Sequence, residues 1–195
     1  MIPLMIAVLM SGVIAYDMYS RSKGIRQRLR FIEQRLPDLK YNGSFANYRL
    51  KGMFGGVPVT VSVTPGGNRS RPKIMVTCHK ATPFKVVILR NEPQSDFFTR
   101  LAHMPVLCSI VTTNDKDFDA RFSVYSHNST DISGYFYNTE RKNAVARVFD
   151  LGYTLLEFKG RSFSAQKFGY DIENDLRQDT VINILEKVCV LSRGF

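Results

Sequence analysis

The feature that most constrains the fold is an abrupt change of character near residue 20. Residues 2–16 read IPLMIAVLMSGVIAY without a charge, and seven basic residues then fall between Arg21 and Lys40 against only Glu33 and Asp38. Extended to Tyr19, the apolar run would span roughly 27 Å as a helix, near the lower limit for the hydrocarbon core of a bilayer. Asp17 is close enough to the end to reach headgroups, Tyr16 and Tyr19 suit the interface, and Pro3 lies in the first turn, where its missing N–H costs little. Residues 1–20 are therefore expected to be a transmembrane anchor. A cleaved signal peptide would carry its basic residues before the apolar run, whereas here they all follow it. Lys and Arg are retained on the cytoplasmic side, which puts the N-terminus outside and the folded domain inside. Sequons at Asn42, Asn68 and Asn128 point the other way, but among ten Asn such matches arise by chance.

Residues 21–38 read as a basic juxtamembrane helix. Ile25, Leu29, Ile32 and Leu36 recur at the spacing of one helical face, the cations occupy other faces, and Pro37 follows. One helix could therefore run from the bilayer into the domain, with Gly24 as a point where it could bend. Arg21, Lys23, Arg26, Arg28 and Arg30 are the candidate contact residues, facing either an anionic membrane surface or a partner. Close to an anionic leaflet each such cation contributes about 1 kcal/mol; the same charges also fix topology and keep the segment soluble. The whole chain carries a net charge of +10, and five of those charges belong to Arg21–Lys40.

Residues 39–195 are expected to form one α+β domain. Val57, Val59, Val61 and Val63 alternate with Pro58, Thr60 and Ser62, the pattern of an amphipathic strand. Gly55-Gly56 joins it to Tyr48–Phe54 as a hairpin, and Pro65-Gly66-Gly67-Asn68 is the next turn. Lys73–His79 and Phe84–Arg90 complete a predicted four-strand antiparallel meander. Beyond it the pattern predicts a short helix over Ser95–Ala102, short strands at Ile110–Thr112 and Phe122–Ser126, and a helix capped by Thr139 and ended by Gly152. A hairpin follows across Lys159-Gly160-Arg161. The last helix is capped by Asp179 or Thr180 and presents Val181, Ile184, Leu185 and Val188. A mainly antiparallel sheet with two or three packed helices is the expected class. Fourteen Phe and nine Tyr supply the core.

The chemistry-bearing residues form no catalytic signature. No P-loop, dinucleotide fingerprint, nucleophile elbow or zincin motif is present. Gly66-Gly67-Asn68-Arg69-Ser70-Arg71 is glycine-rich and basic but lacks the following helix that a phosphate loop uses. Asp115, Asp117 and Asp119 alternate like the start of a calcium loop, yet Ala120 stands where a glycine is needed and Ser126 where a glutamate belongs; capping a turn over Phe118 and Phe122 is the simpler reading. Cys78, Cys108 and Cys189 are odd in number and sit in apolar runs, as buried thiols do. Cys78-His79 would need His103 or His127 to make a nucleophilic site, and Cys78 alternates with Val76 as a core residue should. The sequence therefore offers no catalytic, cofactor or metal ligands. Nucleic-acid binding is disfavoured, since no recognition motif accompanies the cations interleaved with aromatics.

The segment Thr112-Thr113-Asn114-Asp115-Lys116-Asp117-Phe118-Asp119-Ala120-Arg121-Phe122-Ser123-Val124-Tyr125-Ser126, with Leu155-Leu156-Glu157-Phe158-Lys159-Gly160-Arg161 and Gly169-Tyr170-Asp171, resembles a loose group of uncharacterised bacterial membrane-anchored proteins. The resemblance covers about residues 105–190. It implies a bacterial single-pass protein with an α+β domain and brings no catalytic residues. Anchor, charge and missing motifs together point to a non-enzymatic accessory or scaffold subunit of a larger membrane protein complex, its domain docking on the cytoplasmic face of a bacterial inner membrane. The expected partners are the bilayer and other membrane subunits. A tethered module binding an anionic lipid or small ligand, and an enzyme of unrecognised type, are the alternatives.

Overall fold

A computed structural model describes residues 2–44, 47–66, 71–91, 109–126 and 130–193, the side chains of 2–15, 17, 18, 130 and 131 excepted. The chain begins with α1 (Ile2–Arg35) and the strands β1 (Leu39–Tyr41), β2 (Tyr48–Phe54), β3 (Val57–Thr64), β4 (Lys73–Cys78), β5 (Lys85–Arg90) and β6 (Ser109–Val111). Then come α2 (Lys116–Arg121), β7 (Phe122–Ser126), α3 (Thr130–Tyr135), α4 (Thr139–Asp150), β8 (Leu155–Lys159), β9 (Phe163–Phe168), α5 (Ile172–Asp175) and α6 (Gln178–Ser192). The nine strands form one antiparallel sheet in the order β1-β2-β3-β4-β9-β8-β5-β7-β6. The α+β class and the large antiparallel sheet are as the patterning predicts.

Alternation along the strands sorts side chains onto two faces. Val59, Val61 and Val63 point with Ile74, Val76 and Cys78 toward a layer made by α1, α4 and α6. Ile25, Leu29 and Ile32 of α1 are wholly buried in this layer, as are Val145 and Val148 of α4 and Leu185 and Val188 of α6. The second half of α1 is thus the first core helix of the domain rather than a stalk outside it. The helix continues through Gly24 without a break, and a Cβ there would meet only Ile172 Cγ2, at 3.8 Å. Among the described residues no helix is long and apolar enough to cross a membrane. Most side chains of the expected anchor, residues 1–20, lie outside the described residues.

Aromatic packing fills the centre. Phe158 stacks at 4.5 Å from Phe163 and Phe84 meets Tyr135 edge-on at 5.2 Å. Phe118 and Phe122, 5.0 Å apart, link α2 to this cluster through Phe136 and Phe149. On the opposite face Val87, Leu89, Tyr125 and Leu155 form a small second cluster.

Three expectations need correction. The meander stops at β4, because its free edge is taken by β9 and not by β5, with Val76 opposite Ala165; β5 lies between β8 and β7. The 155–168 hairpin is therefore inserted into the middle of the sheet. Helix α4 is capped by Asn138, whose Oδ1 accepts from the backbone N–H of Glu140 and Arg141, and Thr139 is its first helical residue. Helix α6 starts after Arg177 with no side-chain cap; Asp179 pairs with Arg177 at 3.0 Å, and Thr180 Oγ1 donates to the Asn174 carbonyl. The helix expected over Ser95–Ala102 and the second half of the Pro65–Asn68 turn lie outside the described residues.

Candidate functional site

The five basic residues singled out on α1 divide into two groups. At 100° per residue, Lys23, Arg26 and Arg30 fall within about 60° of one another, off the stripe of Ile25, Leu29 and Ile32, and all three are exposed. Arg30 also lies over the Tyr41 ring, 5.9 Å from its centroid. Arg21 and Arg28 point instead toward α5. Arg28 makes a 2.9 Å ion pair with Glu173, and Arg21 lines a cleft with Ser20, Gly24, Tyr170, Asp171 and Glu173. Burial pushes the Tyr170 hydroxyl up to about 12, against the opposing pull of Arg21. In the same turn Asp171 caps α5, and the backbone N–H of Glu173 holds its carboxyl below the usual range. Arg21 and Arg28 thus tie α1 to the domain, while Lys23, Arg26 and Arg30 remain available to something outside it.

The second concave surface is on the sheet face away from the helices. In the strand register Lys51, Thr60, Thr77 and Ser164 stand in one row across β2, β3, β4 and β9, with Arg49, Ser62 and Met75 in the next. Together with His79, Lys159 and Ser162 they line a groove of about 480 Å³. Thr60, Ser62, Thr77 and Ser164 are each less than a tenth exposed. Sequence patterning marked Thr60 and Ser62 only as the polar half of a strand. That they sit at the floor of a groove follows from the insertion of β9 beside β4, which local periodicity does not reveal.

The remaining candidates resolve into structural roles. Asp115 caps α2, and its ion pair with Lys142 of α4, followed by the Phe118 N–H, lowers its carboxyl below the usual range. Asp119 accepts from the backbone N–H and hydroxyl of Thr113. No group of three or more His, Cys, Asp or Glu among the described residues could hold a metal ion. Cys78 is buried in the core, whereas His79 Nε2 lies 2.8 Å from Thr60 Oγ1 on the groove side, so the pair is split between the two faces; His103, His127 and Cys108 lie outside the described residues. Burial raises the thiols of Cys78 and Cys189, the latter to about 11.

One antiparallel sheet backed by helices, with a basic outer helix face and an open polar groove, defines a single-sheet α+β domain. No protein-family model and no curated protein matches the chain. Among solved structures its fold is similar to that of the mycobacterial trehalose monomycolate transport factor A, TtfA, with a TM-score of 0.55 and 12% identity over 87% of this chain and 94% of that one. At that identity the likeness concerns the fold.

Proposed function

We propose that this chain is a membrane-tethered accessory subunit, held by residues 2–19 of α1 and docking its domain beside other membrane proteins on the cytoplasmic face of a bacterial inner membrane. The observation that carries this reading is the continuity of α1. One helix includes the uncharged N-terminal run and also supplies Ile25, Leu29 and Ile32 to the core. A helix fixed at both ends would hold the domain at a set distance and orientation from the bilayer, which suits a part of an assembly. The similarity in fold to a factor of trehalose monomycolate transport supports a factor that assists the handling of membrane components. The test is extraction of the tagged full-length protein in mild detergent, with co-purifying proteins identified by mass spectrometry. A defined set of membrane proteins at fixed ratio is expected, and a clean monomer under gentle extraction would sink the proposal.

A second reading, attraction to anionic lipid, is favoured by Lys23 and Arg26, which have no ion-pair partner among the described residues. Replacing Lys23, Arg26 and Arg30 by Gln should weaken flotation with phosphatidylglycerol vesicles and leave folding unchanged. Arg28 is not part of this test because Glu173 already holds it. Flotation equal to that of the parent would dispose of this reading.

A further inference from the structure

The groove on the open sheet face contains a combination that packing alone does not explain. The hydroxyls of Ser62, Thr77 and Ser164 have no hydrogen-bond partner among the described residues, although each side chain is more than nine-tenths buried. A strand buried on both faces would gain stability from Val at such positions, because a desolvated hydroxyl without a partner is costly and an apolar isostere is not. Lys51, one strand spacing from Thr60 at about 4.8 Å, is exposed and has no carboxylate partner among the described residues. Arg49 stands beside Ser62, its guanidinium Nε donating to Asn47 Oδ1 at 3.0 Å. Among the described residues the groove lining has no Asp or Glu and no Phe, Tyr or Trp; the nearest carboxylate in the row is Glu157, opposite Ser164, and it is paired with Lys159 at 3.0 Å.

We propose that this groove binds a phosphate group, with Lys51 and Arg49 supplying positive charge and Ser62, Thr77 and Ser164 donating hydrogen bonds from its floor. The donor set decides the ligand class. A phosphate presents acceptor oxygens only, so it satisfies hydroxyl donors and cations together. A sugar could also use hydroxyls, which accept as well as donate, but it would gain nothing from the charges of Lys51 and Arg49 and would find no Phe, Tyr or Trp face in the described lining. An extended peptide would add to a sheet edge, whereas these groups stand on the face. The phosphate could be free or the head of a phospholipid. The proposal does not rest on the accessory-subunit reading, because none of its residues belongs to α1.

The test uses the full-length protein in neutral detergent, titrated separately with inorganic phosphate and with a short-chain phosphatidylglycerol, and read by thermal shift and calorimetry. Saturable binding of either probe is expected. Binding of inorganic phosphate identifies a site for the free anion, and binding of the phosphatidylglycerol alone identifies a headgroup site. Lys51→Gln, at an exposed position that folding does not depend on, should weaken binding at least tenfold. Thr77→Val with Ser164→Ala should do the same while leaving the ligand-free melting temperature equal to the parent's or higher. The Lys23, Arg26 and Arg30 substitutions should leave binding of inorganic phosphate unchanged, so failure here and failure of the membrane reading are distinguishable. Absence of saturable binding by both probes would overturn the proposal, as would affinity unchanged by Lys51→Gln, or equal binding of uncharged glucose.

Discussion

Gly52 shows how far a single atom can be forbidden. It lies opposite Leu39 where β1 joins β2, and an added Cβ would stand 1.7 Å from the Asp38 carbonyl oxygen. That oxygen is backbone and is held by the Met53 N–H at 3.2 Å, so it has no flexible end to yield. Gly52→Ala should therefore cost roughly 1–3 kcal/mol in urea unfolding and free β1 to exchange its amides; a change within error would mean that β1 moves aside without penalty. The two described thiols give a pH prediction. Cys189 is raised from 9.0 to about 11 by burial, so the native state keeps its proton where the unfolded state loses it. Its contribution is fully present below pH 9 and is lost as pH rises from about 9 toward 11. Cys189→Ala should flatten the alkaline fall in stability over that window, and an unchanged slope would remove Cys189 as its cause. Both thiols should also resist maleimide at pH 8 until the protein unfolds, which peptide mapping reads directly. Their burial was legible from the apolar runs around them, whereas the contact at Gly52 joins residues fourteen apart and no local pattern reports it.

The elements follow from periodicity wherever one face is buried. On α1 the stripe Ile25, Leu29, Ile32 was readable at i, i+4, i+7, and the structure buries all three completely. Leu29→Ala should cost about 2–5 kcal/mol, whereas Arg26→Ala, at an exposed position off the buried stripe, should stay within about 0.5 kcal/mol. Equal costs would mean that the helix is not docked as described. Caps were less legible than faces. Asn138 and Thr139 are both good capping residues, and sequence alone does not decide between neighbours. Asn138 holds the role because its Oδ1 reaches two backbone N–H groups, so Asn138→Ala should cost about 1 kcal/mol and Thr139→Ala less. Strand order was the hardest element-scale question. Lys73–Cys78 and Lys85–Arg90 are close in sequence and both strand-like, so a hairpin is the local expectation. Here Thr82 instead donates from its backbone N–H to the Gly160 carbonyl at 2.9 Å. The connection between the two strands is thereby fastened to the tip of the 155–168 hairpin, which separates them.

At the scale of the whole molecule, the proposed tether and the domain core share one helix, α1, and its division between them can be measured. The sequence made the two halves of the helix visible by charge and by periodicity. It did not show that the basic half is internal to the domain, because burial of Ile25 and Leu29 depends on β2 and on helices α5 and α6 near the C-terminus as well as on the neighbouring β1. Nor did it show the groove, whose floor is assembled from strands separated by about a hundred residues. Among the described residues Ile25 is the first buried side chain, and Arg28 pairs with Glu173 just beyond it. Removal of residues 2–19 should therefore leave the melting temperature and unfolding cooperativity of the domain close to those of the full chain. Removal of residues 2–36 takes out three fully buried side chains at about 2 kcal/mol or more each, a loss comparable to the total stability of a domain, so that variant should not fold. The shorter deletion, which leaves the domain intact, also isolates the role of the apolar run. Cell fractionation of that folded variant is expected to move it from the membrane to the soluble fraction. If it stays with the membrane, the domain is held by a protein or lipid contact of its own, and the anchor is not what localises it. If the deletion instead destabilises the domain, the apolar run packs on the fold and the tether reading fails.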